Sequence, residues 1–125
     1  MDVHMPRIFL CDDQAEYRRL LCEVLRDEID LEVVGEACDG VECVDEVADT
    51  HPDMVLLDLN MPRMTGLDTL PRLRRVLPHA KVVVLTSADA ADQEDEALAA
   101  GADGFIQKPM DAFDLPRMIR AAAAA

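Results

Sequence analysis

The chain has 125 residues, half of them hydrophobic and only 3% aromatic, which fits one domain around an aliphatic core of Leu, Val, Ile, Ala and Met. Its 26 acidic residues against 12 basic ones leave a net charge of −14, a surface that repels nucleic acid phosphates and anionic lipid. No apolar run is long enough to span a bilayer, and the start, Met1-Asp-Val-His-Met-Pro-Arg, lacks the basic and apolar regions of a secretion signal.

Apolar runs alternate with segments of helical period. Ile8 to Cys11 reads as a short buried strand, followed by a helix from about Gln14 to Asp27 whose inner face carries Tyr17, Leu21, Val24 and Leu25. Leu31 to Val34 is the second strand, with Gly35 and Asp39-Gly40 as punctuation and Val41, Val44, Val47 and Ala48 marking the second helix. Met54 to Leu57, nearly all apolar, reads as a central parallel strand buried on both faces. A third helix covers roughly Leu67 to Val76, and Pro71 within it predicts a kink or a late start near Thr69. Lys81 to Leu85 is the fourth strand, and Asp92 to Ala100 the fourth helix, closed by Gly101. Phe105 and Ile106 belong to a fifth strand. Asp111 or Asp114 caps the last helix, the second choice placing Pro116 in the first turn, and the terminal alanines extend that helix or fray.

Alternation of this kind predicts right-handed crossovers and an α/β fold, flavodoxin-like (βα)5, with a five-stranded parallel sheet in the order 2-1-3-4-5 and helices on both faces. Residues 1–125 form a single domain on this reading. The four cysteines, Cys11, Cys22, Cys38 and Cys43, have no histidine near enough to complete a zinc knuckle, so reduced thiols in a cytosolic protein are expected.

Ligands of open parallel sheets bind beyond the carboxyl ends of the strands, at the point where strand order reverses. Asp12-Asp13, Asp58 with Asn60, Thr86-Ser87 and Lys108-Pro109 all fall at such ends. Each has a plainer role available: a helix cap for Asp12, Asp13, Thr86 or Ser87, a turn for Asp58, solvated surface for Lys108. Their joint appearance at four strand ends is the stronger signal. Crowded carboxylates repel unless a cation sits among them, and hard oxygen donors suit Mg²⁺. A carboxylate beside Mg²⁺ and a lysine can act as nucleophile toward a phosphoryl group.

These residues, with Cys-Asp-Asp (11–13), Pro-Asp-Met-Val-Leu-Leu-Asp-Leu-Asn-Met-Pro-Arg-Met-Thr-Gly (52–66), Val-Val-Val-Leu-Thr-Ser-Ala (82–88) and Ala-Gly-Ala-Asp-Gly-Phe-Ile-Gln-Lys-Pro (100–109), make the chain resemble the receiver domain of bacterial two-component response regulators over essentially its whole length. The resemblance implies a phosphorylation switch rather than an enzyme acting on other substrates. Asp58 would accept the phosphoryl group, and Asp13 and Asp58 would bind Mg²⁺, Asp12 acting through water. Asn60 would contribute its backbone carbonyl, Lys108 would pair with Asp58 and then the phosphoryl group, Thr86 would hydrogen-bond that group, and Phe105 would respond. The Lys108-Pro109 bond would be cis. Gln14, Ala15, Arg18, Pro109 and Met110 would form the docking face for a sensor histidine kinase or phosphotransfer protein. The face of helix four, strand five and helix five would address an output domain or downstream protein, with no direct nucleic acid or membrane contact and a cytoplasmic location. Phe105 stands where Tyr is frequent, which removes a hydroxyl contact from the output. The acidic fourth helix (Asp92, Glu94, Asp95, Glu96) is unlike a mixed-charge dimer face, so the chain is expected as a monomer or a phosphorylation-dependent dimer. A haloacid-dehalogenase-like phosphatase is the rival from another class, but it needs a carboxylic acid where Asn60 stands. An unphosphorylated pseudo-receiver would have lost one of the acidic residues or the lysine, and none is missing.

Overall fold

The structure is a computed structural model that describes residues 6–59, 61, 63–86, 93–108 and 111–124. Strands β1 (Arg7–Cys11), β2 (Glu32–Ala37), β3 (Met54–Asp58), β4 (Lys81–Thr86) and β5 (Gly104–Gln107) alternate with helices α1 (Ala15–Arg26), α2 (Gly40–Thr50), α3 (Gly66–Val76), α4 (Glu94–Ala100) and α5 (Leu115–Ala124). All pairings are parallel and the sheet order is β2-β1-β3-β4-β5, as the sequence predicts.

Strand alternation sends side chains to two cores. Ile8, Leu10, Met54, Leu56, Val83, Leu85 and Ile106 pack against Leu21, Cys22 and Leu25 of α1 and Leu115 and Ile119 of α5. Phe9, Cys11, Val55, Leu57, Val82 and Val84 pack against Cys43 and Val47 of α2, Leu70 and Leu73 of α3 and Ala97 of α4. Each large aliphatic side chain withdrawn in this way stabilises the fold by roughly 1.5–3 kcal/mol. Every residue of β3 is buried, as a central strand covered on both faces requires. The four cysteines are free. Contact with Cys43 and burial hold the Cys11 thiol far above its ordinary range, and burial with a bond to Glu36 pushes Cys22 up to about 11, so both behave as small hydrophobes.

Several local expectations need correction. β2 does not stop at Val34 but continues through Gly35 to Ala37. Gly35 pairs with Phe9, and a Cβ there would stand 2.7 Å from the phenyl ring, so the glycine makes room for the ring instead of ending the strand. In α2 the buried stripe runs through Gly40, Cys43 and Val47, while Val41 and Ala48 face solvent. α3 runs from Gly66 to Val76, within one residue of the expected bounds and without the late start near Thr69, because Thr65 caps it by accepting from the Asp68 amide and Thr69 donates back to the Thr65 carbonyl. Pro71 lies inside the helix on its exposed side. α4 is described from Glu94, with Gln93 before it in 3₁₀ conformation; Asp92, where the helix is expected to start, lies outside the described residues. Of the two expected caps, Asp111 caps a short 3₁₀ turn, Ala112–Asp114, and α5 starts right after Asp114 with Pro116 in its first turn, as the second choice expected. The alanines extend α5 to Ala124, and Lys81 Nζ bonds to the last carbonyls at Ala122 (3.1 Å) and Ala123 (2.9 Å). Among the described residues no helix is long and apolar enough to cross a membrane.

Candidate functional site

β1 and β3 are neighbours in the sheet, whereas their sequence neighbours lie on opposite sides, so a crevice opens where their carboxyl ends meet. Asp12 and Asp13 follow β1 directly and Asp58 ends β3. The three side chains offer one carboxylate oxygen each, all within 4.8 Å of one another, with Asp12 and Asp58 buried and Asp13 exposed. Such a set of hard oxygens can hold a divalent cation.

Asp12 also has a structural role. Its Oδ1 accepts from the Gln14 amide at 2.8 Å, which supplies the turn into α1 that Gln14, the residue before the helix, does not cap itself. Asp12 is thus a turn residue before α1 rather than its cap, and its other carboxylate oxygen is left to face Lys108.

Lys108, just past β5, reaches across β4 to the same crevice. Its Nζ stands 3.3 Å from Asp12 Oδ2 and 3.7 Å from Asp58 Oδ2, with its side chain 20% exposed. The ammonium also lies 4.5 Å from the centre of the Tyr17 ring. Burial, then the charges of Asp12 and Asp58, raise the Tyr17 phenol above its ordinary value, so it stays neutral beside the acids. The backbone fixes Lys108 as well, since its amide donates to the Thr86 carbonyl at 2.7 Å. Thr86, one residue beyond the partner of Asp58 in β4, is buried, and its Oγ1 finds no hydrogen-bond partner among the described residues. A buried orphan hydroxyl is costly, and it marks a place where an acceptor would be welcome.

Phe105 pairs with Val84 on the edge strand and is 38% exposed. It borders a hollow of about 300 Å³ lined by Lys81, Val83, Asp103, Gly104 and Ala122. Of the expected docking residues, Gln14 and Ala15 are exposed at the start of α1. Arg18 is tied down, with Nε on Glu36 (2.9 Å) and Nη1 on the Asp12 carbonyl (2.6 Å), so it supports the acidic rim. Asn60, Ser87, Pro109 and Met110, and with them the expected cis bond before Pro109, lie outside the described residues.

Two features escaped the sequence. Tyr17 read as an inner-face residue of α1, and nothing in its spacing revealed the ammonium over its ring. Arg63 lies inside the motif after Asp58 without a role there, yet it bonds Asp39 through Nε at 3.1 Å and through Nη2. Asp39-Gly40 did signal a turn, and Asp39 indeed caps α2 by accepting from the Glu42 amide.

Comparison with known proteins agrees with this geometry. The family model described as the response regulator receiver domain matches residues 8–120. The nitrate/nitrite response regulator protein NarL of Escherichia coli K12 is 37% identical over 117 residues, 94% of this chain and 54% of that protein. The protein-glutamate methylesterase/protein-glutamine glutaminase 1 of Methanospirillum hungatei is 36% identical over 107 residues, 84% of this chain and 31% of that protein. The chain thus spans about half or less of these relatives. Among solved structures, the receiver domain of the putative response regulator NarL from Mycobacterium tuberculosis superposes with TM-score 0.86 at 28% identity, covering 98% of both chains. The response regulator domain of Thermotoga maritima CheB does so with TM-score 0.83 at 30% identity, again covering 98% of both. With the family model matching most of its length, the chain belongs to the response regulator receiver domain family.

Proposed function

We propose that this domain is a phosphorylation switch that accepts a phosphoryl group on Asp58 from the phosphohistidine of a sensor histidine kinase or phosphotransfer protein. The observation that carries the reading is the setting of Asp58: buried at the end of β3, 3.7 Å from the Lys108 ammonium and grouped with Asp12 and Asp13 within 4.8 Å. Asp12, Asp13 and Asp58 would hold Mg²⁺, together with the backbone carbonyl of Asn60. The bound cation would neutralise charge on the phosphoryl oxygens.

An oxygen of Asp58 attacks the phosphorus, the P–N bond breaks, and the imidazole nitrogen leaves with the bonding pair. Lys108 holds the nucleophile in place and then moves its charge to the transferred group. The Thr86 hydroxyl, which has no partner among the described residues, gains an acceptor, a charge-assisted bond worth roughly 1.5–3 kcal/mol. That inward bond gives Phe105 a reason to leave its half-exposed position, and the face of α4, β5 and α5 changes shape. A downstream protein or an output domain reads the change, as the regulator and methylesterase relatives suggest. The acidic surface, at −14, argues against direct contact with nucleic acid or membrane, and a cytoplasmic location follows from the kinase partner.

Phosphotransfer profiling tests this reading. With purified, autophosphorylated histidine kinases and Mg²⁺, label should pass to this chain from at least one kinase and never to Asp58→Asn. Equal labelling of that variant would remove Asp58 as the acceptor.

A further inference from the structure

The connection from β3 to α3 follows Asp58, and its described residues, 59, 61 and 63–65, are held at several points. Its base is closed by the Gly66 amide on the Leu59 carbonyl, 3.0 Å. Met61 Sδ lies 3.4 Å from Cys11 Sγ, which itself stands 3.6 Å from the Asp39 carbonyl, all buried. Gly40 admits the loop closely, since a Cβ there would be 2.9 Å from the Met64 carbonyl. The outermost hold is Arg63. Its φ is 64°, a left-handed backbone that residues with a Cβ adopt reluctantly. Its side chain is 63% exposed, and an arginine so exposed is ordinarily a solvated charge. Here both Nε and Nη2 engage one oxygen of Asp39, whose side chain is only 6% exposed and whose other oxygen accepts from the Glu42 amide at 2.9 Å.

We propose that the Arg63–Asp39 pair is a clamp that fixes the loop after Asp58 against α2 and so sets how tightly the acidic crevice holds a divalent cation. Arg63 is a positioning residue, and the inference rests on the reading of that crevice as the Mg²⁺-dependent phosphoacceptor site. The route is short. The loop continues Asp58 on one side, and through Met61 it rests on Cys11, which directly precedes Asp12-Asp13. Three carboxylates that repel one another stay within 4.8 Å only if their backbone is held. A looser loop lets them spread, and a cation must then gather them again on binding.

Two variants separate the clamp from general damage. Asp39→Asn removes the charge but retains a side chain that caps α2 equally well. Arg63→Gly removes the guanidinium while accepting the positive φ without strain. In metal-free protein, hydrogen exchange of amides in 59–66 should be faster in both. Mg²⁺ titration, followed by the fluorescence of the single tyrosine, which lies against Lys108 in a chain without tryptophan, should show affinity reduced about tenfold, the lower end of what loss of outer support costs a metal site. Labelling by acetyl phosphate at saturating Mg²⁺ should stay close to parent. Variants that bind Mg²⁺ as tightly as a responsive parent overturn the clamp, whether or not their loop exchange rises. A parent that gives no Mg²⁺ response overturns the reading of the crevice itself, and the clamp with it.

Discussion

Two acidic clusters stand side by side at the carboxyl end of the sheet, and each meets one cation in a different way. Asp12, Asp13 and Asp58 face Lys108; Cys38, Asp39 and Glu42 lie beside Arg63. The lysine divides a single point charge between two carboxylates, at 3.3 and 3.7 Å, with neither contact short and an aromatic ring beneath it. The arginine commits two nitrogens to one carboxylate oxygen, and a helix amide fills the other. A compact ammonium on a flexible stem can change partners when a phosphoryl group arrives, whereas a planar fork on a capped carboxylate holds still. On the proposed reading the first cluster reacts and the second supports it.

Breaking the reactive side should have the larger effect. Lys108→Ala should slow labelling by acetyl phosphate about a hundredfold, the usual cost of one missing electrostatic donor at a reacting centre. A loss smaller than that of Arg63→Gly or Asp39→Asn at limiting Mg²⁺ would reverse the comparison. Next comes the metal. At a Mg²⁺ concentration about a hundredfold above Kd, the parent should melt about 10 °C higher than in chelator. Asp13→Ala should lose most of that rise, and a variant that kept it would move the site elsewhere.

A smaller, qualitative effect is expected at Thr86. Thr86→Ala should still take phosphate on Asp58 but lose most of the shift changes around Phe105 in NMR spectra with beryllofluoride, because the roughly 1.5–3 kcal/mol bond that biases the switch is gone. Unchanged shifts at Phe105 would mean that the coupling runs through backbone instead. The smallest effect belongs to the support cluster in acid. The Glu42 amide and then Arg63 hold the Asp39 carboxyl below its ordinary range. A depressed folded pKa contributes stability that is present above the unfolded value, about 3.9, and is lost as pH falls through the folded one. The melting-temperature difference between parent and Asp39→Asn should therefore be full at pH 6 and close as pH drops below about 4. A gap that persisted unchanged at pH 2 would assign it to lost packing.

The sheet order and the residues at its carboxyl rim were legible because they depend on period and on strand ends. Met54 to Leu57 could be only a buried strand, and Asp58 had to follow it. What stayed hidden involves residues distant in sequence whose types are ordinary. Gly35 looks like a breaker until Phe9 is placed over it, and Arg63 looks like surface until Asp39 is placed beside it. Tyr17 shows the same limit, because its spacing reports which face of α1 it occupies and says nothing about a lysine far along the chain.

The proposed switch turns on the chemistry of one carboxylate, and that can be located directly. After incubation with acetyl phosphate and Mg²⁺, reduction with borohydride converts an acyl phosphate of aspartate into homoserine, and peptide mass spectrometry reads its position. Homoserine at position 58 alone, absent when Mg²⁺ is chelated, is the expected result. Homoserine at 12 or 13, or none at 58 in protein that has gained a phosphoryl group by intact mass, would contradict the assignment.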